Sequence, residues 1–155
     1  MNPSSAPVIV QPGEGKELHA FGDILTVLIG GEQSGGKVAV MLDVTPPDSG
    51  PPLHRHSLED ELFLVLEGRI SYFTEGRWTE VGPGGAVYMP RGTIHSCRNV
   101  GTTPSRQWII TTPSSFETFF SRCADEFALP GGPDMRRIVA ISGVHGIEYV
   151  TPAQD

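Results

Sequence analysis

The chain has 155 residues, a formal net charge of −7 and 38% hydrophobic residues, together with 19 Gly and 14 Pro. This length suits one domain whose core is large enough to fold without disulfides. No Lys/Arg cluster is present, which argues against nucleic acid as a partner, and no apolar run approaches the roughly 18 residues of a membrane span. With two cysteines outside any CxxC spacing and no signal-peptide pattern, we expect a cytoplasmic protein with reduced thiols.

The first third of the chain predicts an arm followed by a hairpin. Residues 1–16 look like a loose arm, in which residues 8–10 (Val-Ile-Val) form a candidate edge strand. The β-branched and aliphatic residues of segments 23–29 and 37–45 predict two strands, joined by the Ser34-Gly35-Gly36 turn.

A proline-rich loop at residues 46–52 leads into a series of short strands separated by Gly- and Pro-containing turns. We place these strands near residues 54–56, 61–66, 70–74, 86–89, 95–99 and 106–112. Many short strands at close spacing predict an all-β barrel or sandwich.

The last third changes to a helical pattern. Ser114 and Glu117 have the spacing of a capping box, and a phenylalanine stripe then continues to a helix end near residues 129–130. We expect this stripe to pack on the barrel. A second helix opens near Pro133, with an inner face made of Met135, Ile138 and Val139, and a short strand follows at residues 147–150.

Three separate patterns predict one metal site. In the strand His54-Arg55-His56 the two imidazoles point to the same face, because side chains alternate along a strand. Glu61 opens an apolar strand on the face of Phe63, where a carboxylate is costly to bury unless it is paired or bound to a metal. We interpret its neighbours, Glu59 and Asp60, as solvated turn residues.

The third pattern is Pro90-Arg91-Gly92-Thr93-Ile94-His95, a tight turn that leads into a strand beginning at His95. In a small barrel this strand can lie opposite the His54/His56 pair. Three imidazoles and one carboxylate suit a divalent transition metal: iron, manganese, nickel, cobalt, copper or zinc. Four protein ligands leave one or two open positions, which favours a catalytic site over a structural one.

These residues resemble the two motifs of the cupin superfamily. His54, His56, Glu61 and Gly68 fit the first motif, G(X)5HXH(X)3,4E(X)6G, except that its leading Gly falls at Asp48, while the nearby Gly is Gly50. The second motif, G(X)5PXG(X)2H(X)3N, is matched at every position, by Gly84, Pro90, Gly92, His95 and Asn99. The resemblance implies a jelly-roll, double-stranded β-helix barrel with one or two C-terminal helices.

Most of the chain also resembles the single-domain cupins grouped with quercetin 2,3-dioxygenases. That resemblance implies a metal-dependent dioxygenase acting with O2 on a flavonol-like or other enolic or aromatic small molecule. It further implies that Glu61 is both metal ligand and catalytic base. Two alternatives stay open: a metal-dependent lyase or isomerase that uses the same site, and a non-catalytic cupin that binds a small molecule.

Further expectations concern the pocket, the domain limits and the assembly. We expect a substrate pocket lined by Met41, Phe63, Tyr72, Met89, Cys97 and Trp108. A single domain spans residues 1–155, with a barrel core at about 17–112 and a helical segment at about 114–143. A homodimer is expected, because the N-terminal arm can add a strand to a second copy.

Overall fold

The computed structural model describes residues 6–151. Within them, 11 strands account for most of the regular structure: β1 Lys16–Ala20, β2 Asp23–Ile29, β3 Ala39–Thr45, β4 His54–His56, β5 Asp60–Glu67, β6 Ile70–Thr74, β7 Arg77–Val81, β8 Ala86–Met89, β9 His95–Asn99, β10 Ser105–Thr112 and β11 Ile147–Tyr149. The helices of the described range are α1 Gly31–Ser34, α2 Phe116–Phe127 and α3 Met135–Val144. The expected all-β class with C-terminal helices is confirmed.

The strands form two antiparallel sheets. The first has the order β1-β2-β3-β10-β5-β8, and the second has the order β11-β4-β9-β6-β7. Consecutive strands such as β1, β2 and β3 are neighbours, but other neighbours, such as β3 with β10 and β4 with β9, come from distant parts of the chain, as in a jelly roll. The predicted β2–β3 hairpin is present, with Val27 opposite Met41.

The core lies between the two sheets, because alternate side chains of each strand point inward. In β3 the residues Ala39, Met41, Asp43 and Thr45 are buried, while those between them are partly exposed. The same alternation along β5 buries Glu61, Phe63 and Val65. Both strands therefore bring polar side chains into an otherwise apolar interior.

The two long helices cover one side of the barrel. Helix α2 packs against β1, β3 and α3 and buries Phe119, Phe120 and Cys123, as the phenylalanine stripe predicted. Its N-cap is Ser115, one residue later than expected. Glu117 does not complete a capping box with Ser114, because its carboxylate accepts hydrogen bonds from the backbone N–H groups of Ser115 and Gly31.

The prediction for the inner face of helix α3 is wrong. Ile138, Ile141 and Ser142 are buried, whereas Met135 and Val139 are more than half exposed. The inner face is therefore rotated from the predicted one, following the i, i+3, i+4 spacing that starts at Ile138. Asp134 caps the helix by accepting a hydrogen bond from the Arg136 N–H.

Two strands, β1 and β7, were not predicted, and one predicted strand is absent. Strand β1 buries only Leu18 and Ala20, and β7 is exposed along most of its length, so neither has a clear apolar pattern. Residues 8–10 form no strand in this chain, where Val8 and Ile9 are exposed. In the described range no helix has the length and apolar character needed to cross a membrane.

The loop before β4 explains the departure from the first motif. Asp48, which stands where the motif has its leading Gly, has φ 59°. Asp tolerates this left-handed conformation better than most residues, so the backbone is kept without a glycine. Gly50 is required for another reason: a Cβ there would collide with the backbone carbonyl of Cys97.

Candidate metal centre and cavity

The four predicted metal ligands come together from opposite sheets. His54 on β4 lies directly opposite His95 on β9, and His56 follows on β4, so one sheet presents three imidazoles. Glu61 faces them from β5 in the other sheet. One ligand atom from each residue can be chosen so that all four atoms lie within 4.8 Å of one another, and all four residues are buried.

Backbone carbonyl groups orient two of the imidazoles. The Nδ1 atoms of His54 and His95 lie 2.8 Å from the Pro52 oxygen and 2.9 Å from the Thr93 oxygen, respectively. A carbonyl only accepts hydrogen bonds, so each Nδ1 carries the proton. The Nε2 lone pair of each ring is therefore directed away from its carbonyl and is available to a metal.

The centre of the cluster has the orphaned polar atoms that a cation would satisfy. Glu61 Oε2 lies 2.7 Å from His95 Nε2 and 3.4 Å from His56 Nε2. Despite this closeness, none of the three atoms has a hydrogen-bond partner with acceptable geometry. Buried polar atoms are normally partnered, and the donor set of imidazole and carboxylate suits a divalent transition metal. The residues therefore fit the metal that the motif implies.

Electrostatics favour the metal-binding charge states of His54 and Glu61. Burial and the neighbouring imidazoles His95 and His56 lower the pKa of His54 to about 4. Burial alone would raise the pKa of Glu61, but the close approach of His95 and the nearby imidazoles hold it below its usual value. At neutral pH His54 is thus neutral and Glu61 is ionised, as metal ligands must be. At His95 burial alone would lower the pKa, but the carboxylate of Glu61 raises it above its usual value, so a cation would have to displace a proton there.

The cluster opens onto a cavity of about 310 Å³ between the two sheets and α2. Its walls are largely aromatic and aliphatic, and its members include Phe21, Leu25, Phe63, Ile109, Phe116, Phe119, Phe120 and Tyr149. The Phe116 ring lies 5.6 Å from that of His56, measured between centroids. An apolar cavity with a few polar groups is the usual form of a small-molecule site.

The predicted pocket residues divide into two groups. Phe63 and Cys97 line the cavity, but Met41, Tyr72, Met89 and Trp108 do not. Met41, Tyr72 and Met89 are buried in the surrounding core. Trp108 lies between Gln107 and Ile109, which line the cavity, and strand alternation therefore turns it to the outer face of β10.

The cavity also has a second polar region, which the sequence analysis missed. We call Asp23, Asp43, Thr45 and Gln107 the carboxyl end; all four line the cavity. Asp43 is only 5% exposed, and its Oδ2 accepts hydrogen bonds from Thr45 Oγ1 at 3.0 Å and Gln107 Nε2 at 3.1 Å. The Tyr72 hydroxyl extends the network by donating to Gln107 Oε1 at 2.5 Å.

Burial favours the protonated forms of the two carboxyl groups in this region. Burial and then the charge of Asp43 raise the pKa of Asp23 to about 8, and burial also raises the pKa of Asp43. Asp23 Oδ1 is buried without a hydrogen-bond partner. One signal was present in the sequence: Asp43 occupies an inward position of the alternating strand β3, where a carboxylate requires a compensating neighbour.

One of the two acidic residues expected in a solvated turn near the ligands is buried instead. Glu59, expected in a solvated turn, is 0% exposed. Asp60 instead pairs with Arg91 at the protein surface, at 3.0 Å. Asn99 is buried and donates to the backbone oxygens of Thr45 and Thr103, a structural role that matches its expected hydrogen bonding.

Comparison with known proteins supports the assignment of the fold. Residues 41–110 match the family described as "Cupin domain". A quercetin 2,3-dioxygenase of Bacillus subtilis (strain 168) is 24% identical over 123 residues. The match covers 79% of this chain but only 36% of that enzyme, so the chain spans about a third of its relative's length.

Solved structures with low sequence identity have the same fold. KdgF from a Halomonas species superposes with a TM-score of 0.64 at 15% identity, covering 72% of this chain and 99% of that one. The polyketide cyclase RemF from Streptomyces resistomycificus gives a TM-score of 0.60 at 24% identity, covering 70% and 81% of the two chains. Together with the motif residues and the jelly-roll topology, these similarities show that the chain has the cupin fold, with a cupin domain matched over residues 41–110.

Proposed function

We propose that this protein is a mononuclear metal-dependent enzyme that adds O2 to a flavonol-like or other enolic or aromatic small molecule. The observation that carries the proposal is the convergence of His54, His56, Glu61 and His95 at the wall of an aromatic cavity. The similarity to a quercetin 2,3-dioxygenase over most of this chain supports the choice of reaction.

The cavity suits a small, flat substrate with a polar group at each end. Its volume of about 310 Å³ lies at the lower end of the roughly 300–1,000 Å³ range of small-molecule pockets. Phenylalanine side chains from α2 and β5 can pack on an aromatic ring. One polar group of the substrate would lie at the metal cluster, and another can hydrogen-bond to the carboxyl end.

The four cluster residues would hold one divalent transition metal. When bound, that metal supplies Lewis acidity toward a substrate oxygen and access to O2. Glu61 is ionised and buried, so it can take the proton from an enolic or phenolic hydroxyl placed within hydrogen-bond reach. The apolar walls exclude bulk water from the deprotonated substrate.

A lyase or isomerase that needs no O2 is the second candidate. The observation in its favour is the carboxyl end, where Asp23 holds a proton at neutral pH and faces the same cavity. Glu61 and Asp23 would then serve as base and acid on one substrate, a division of roles that requires pKa values shifted apart. The cluster residues would be identical in both enzymes.

Oxygen consumption distinguishes these candidates. The protein, reconstituted with Fe2+, Mn2+, Ni2+, Co2+, Cu2+ or Zn2+ in turn, would be incubated with flavonols and with acyclic enolic diketones in air and in its absence. We expect one O2 consumed per substrate converted, incorporation of label from 18O2, and loss of turnover in Glu61→Gln. Conversion without O2 would favour the lyase or isomerase, and tight binding without conversion would favour a binding protein.

We further infer a homodimer in the cytoplasm. The exposed apolar residues Val8 and Ile9 of the N-terminal arm suit contact with a second copy, and neither Cys97 nor Cys123 is in a disulfide. Light scattering should give twice the 16.7 kDa of the chain. A mass of one chain would contradict the dimer. The limits expected for a single domain, residues 1–155, stay a prediction.

A further inference from the structure

Glu59 is a buried carboxylate that the four-residue cluster leaves unexplained. It lies in the turn between β4 and β5, two residues before Glu61, and its side chain is 0% exposed. Neither carboxylate oxygen has a hydrogen-bond partner. A buried carboxylate without partners is strongly unfavourable, so its retention calls for a compensating group.

The nearest such group is the imidazole of His56. Glu59 Oε2 lies 3.9 Å from His56 Nδ1, and this nitrogen is itself buried without a partner. Two unsatisfied atoms, one acceptor and one nitrogen able to carry a proton, thus face each other just beyond hydrogen-bond distance. A displacement of about 1 Å would satisfy both.

His56 also differs from the other two imidazoles of the cluster. His54 and His95 have their Nδ1 atoms held by backbone carbonyls of Pro52 and Thr93, but His56 has no carbonyl in that position. Its Nε2 points to the cluster, 3.4 Å from Glu61 Oε2. Glu59 therefore lies beside Nδ1 of His56, in the position that a backbone carbonyl occupies beside Nδ1 of His54 and of His95.

We propose that Glu59 is a positioning residue for the metal centre, accepting a hydrogen bond from His56 Nδ1–H and thereby directing His56 Nε2 at the metal. This inference rests on the proposed metal-dependent function. A carboxylate behind a ligating imidazole fixes its tautomer and makes it a stronger ligand, typically worth about 10- to 100-fold in metal affinity.

The test compares Glu59→Gln and Glu59→Leu with wild type, using Zn2+ as the probe. Zinc affinity, measured by competition with a chromophoric chelator, should fall about 10-fold in Glu59→Gln and about 100-fold in Glu59→Leu. The metal-free Glu59→Leu protein should unfold at the same or a higher urea concentration than wild type, because a buried unpaired carboxylate has been removed. Opposite signs in affinity and stability are not expected of a residue that only supports the fold.

A spectroscopic readout reports on the hydrogen bond itself. In the zinc-loaded protein the His56 Nδ1–H should give an exchange-protected, low-field proton resonance that shifts in Glu59→Gln and disappears in Glu59→Leu. The charge control is Glu67→Gln, which removes an exposed carboxylate at the other end of β5. This variant should keep the wild-type affinity and resonance.

Two results would overturn the inference in distinguishable ways. Zinc affinity of Glu59→Leu within twofold of wild type, with the His56 resonance in place, would refute the role of Glu59 while leaving the metal site intact. Wild-type zinc affinity no greater than that of His95→Ala would refute the metal-dependent function and, with it, the role of Glu59.

Discussion

The two polar regions of the cavity treat buried charge in opposite ways. At the metal cluster, the surrounding imidazoles lower the pKa of Glu61 and keep its carboxylate ionised. At the carboxyl end, burial and the charge of Asp43 raise the pKa of Asp23 and keep it protonated. One barrel therefore places an ionised carboxylate and a protonated carboxyl group along the same cavity.

The metal cluster and the carboxyl end also differ in how much they depend on a ligand. The cluster has orphaned atoms directed at one point, which a single cation can satisfy together. The carboxyl end is already connected by hydrogen bonds among Asp43, Thr45 and Gln107, with only Asp23 left partly unsatisfied. We therefore expect the cluster to gain stability from metal and the carboxyl end to carry a stability penalty that depends on pH.

The largest expected effect is the loss of metal in His95→Ala. This change removes one of four ligands and leaves Glu61 without its nearest imidazole, so affinity should fall by more than about 100-fold, beyond the effect of a supporting residue. Elemental analysis after dialysis against a weak chelator measures it. Adding metal should raise the unfolding temperature of wild type but not of the variant.

The matched control for this experiment is His19→Ala. His19 is 63% exposed and pairs only with Glu17 on the outside of β1. Its removal should leave metal content unchanged. Equal metal loss in both variants would mean that the bound metal is held by surface histidines and not by the cluster.

The second effect is a pH-dependent gain of stability in Asp23→Asn. The folded-state pKa of Asp23, about 8, lies above its ordinary value of 3.8, so the folded protein binds one more proton than the unfolded chain between these two pH values. Stability is then lost as pH rises through this window. Asn mimics the protonated acid, and the variant should be more stable than wild type by about 2–4 kcal/mol at pH 7–8.

The pH dependence of the stability gain in Asp23→Asn tests whether the pKa of Asp23 is raised in the folded protein. Urea unfolding of the metal-free proteins from pH 4 to pH 9 should show the gain growing from near zero at pH 4 and levelling off above pH 8. Asp125→Asn, which alters an exposed carboxylate on α2, should differ from wild type by less than about 0.5 kcal/mol at every pH. A gain that does not vary with pH would contradict the raised pKa.

The same two regions show what could be predicted from the sequence. The cluster was predictable because its residues lie in two short stretches with diagnostic spacing, on strands whose turns are marked by Gly and Pro. The carboxyl end is assembled from β2, β3 and β10, and its members meet only through strand pairing such as Asp43 with Gln107. Composition and local spacing carry no information on that register.

Strand alternation and burial explain why the predictions for Trp108 and Glu59 were wrong. Trp108 is among the predicted pocket residues, but the register of β10 turns Gln107 and Ile109 inward instead. Glu59 was assigned to solvent because charged residues in turns are usually exposed. Only the fold shows that the turn between β4 and β5 passes behind His56.

The smallest expected effect comes from Tyr72→Phe. This variant tests whether Tyr72 belongs to the core around the carboxyl end and not to the cavity wall. The variant loses the hydroxyl that donates to Gln107 Oε1 and leaves that oxygen buried without its partner, at a cost of about 1–2 kcal/mol. Because Tyr72 does not line the cavity, metal affinity and the KM of any substrate should stay within twofold of wild type. Tyr88→Phe, at an exposed position on β8, should change neither stability nor binding. A rise in KM with stability unchanged would place the Tyr72 hydroxyl in contact with substrate, and β6 would then belong to the cavity wall.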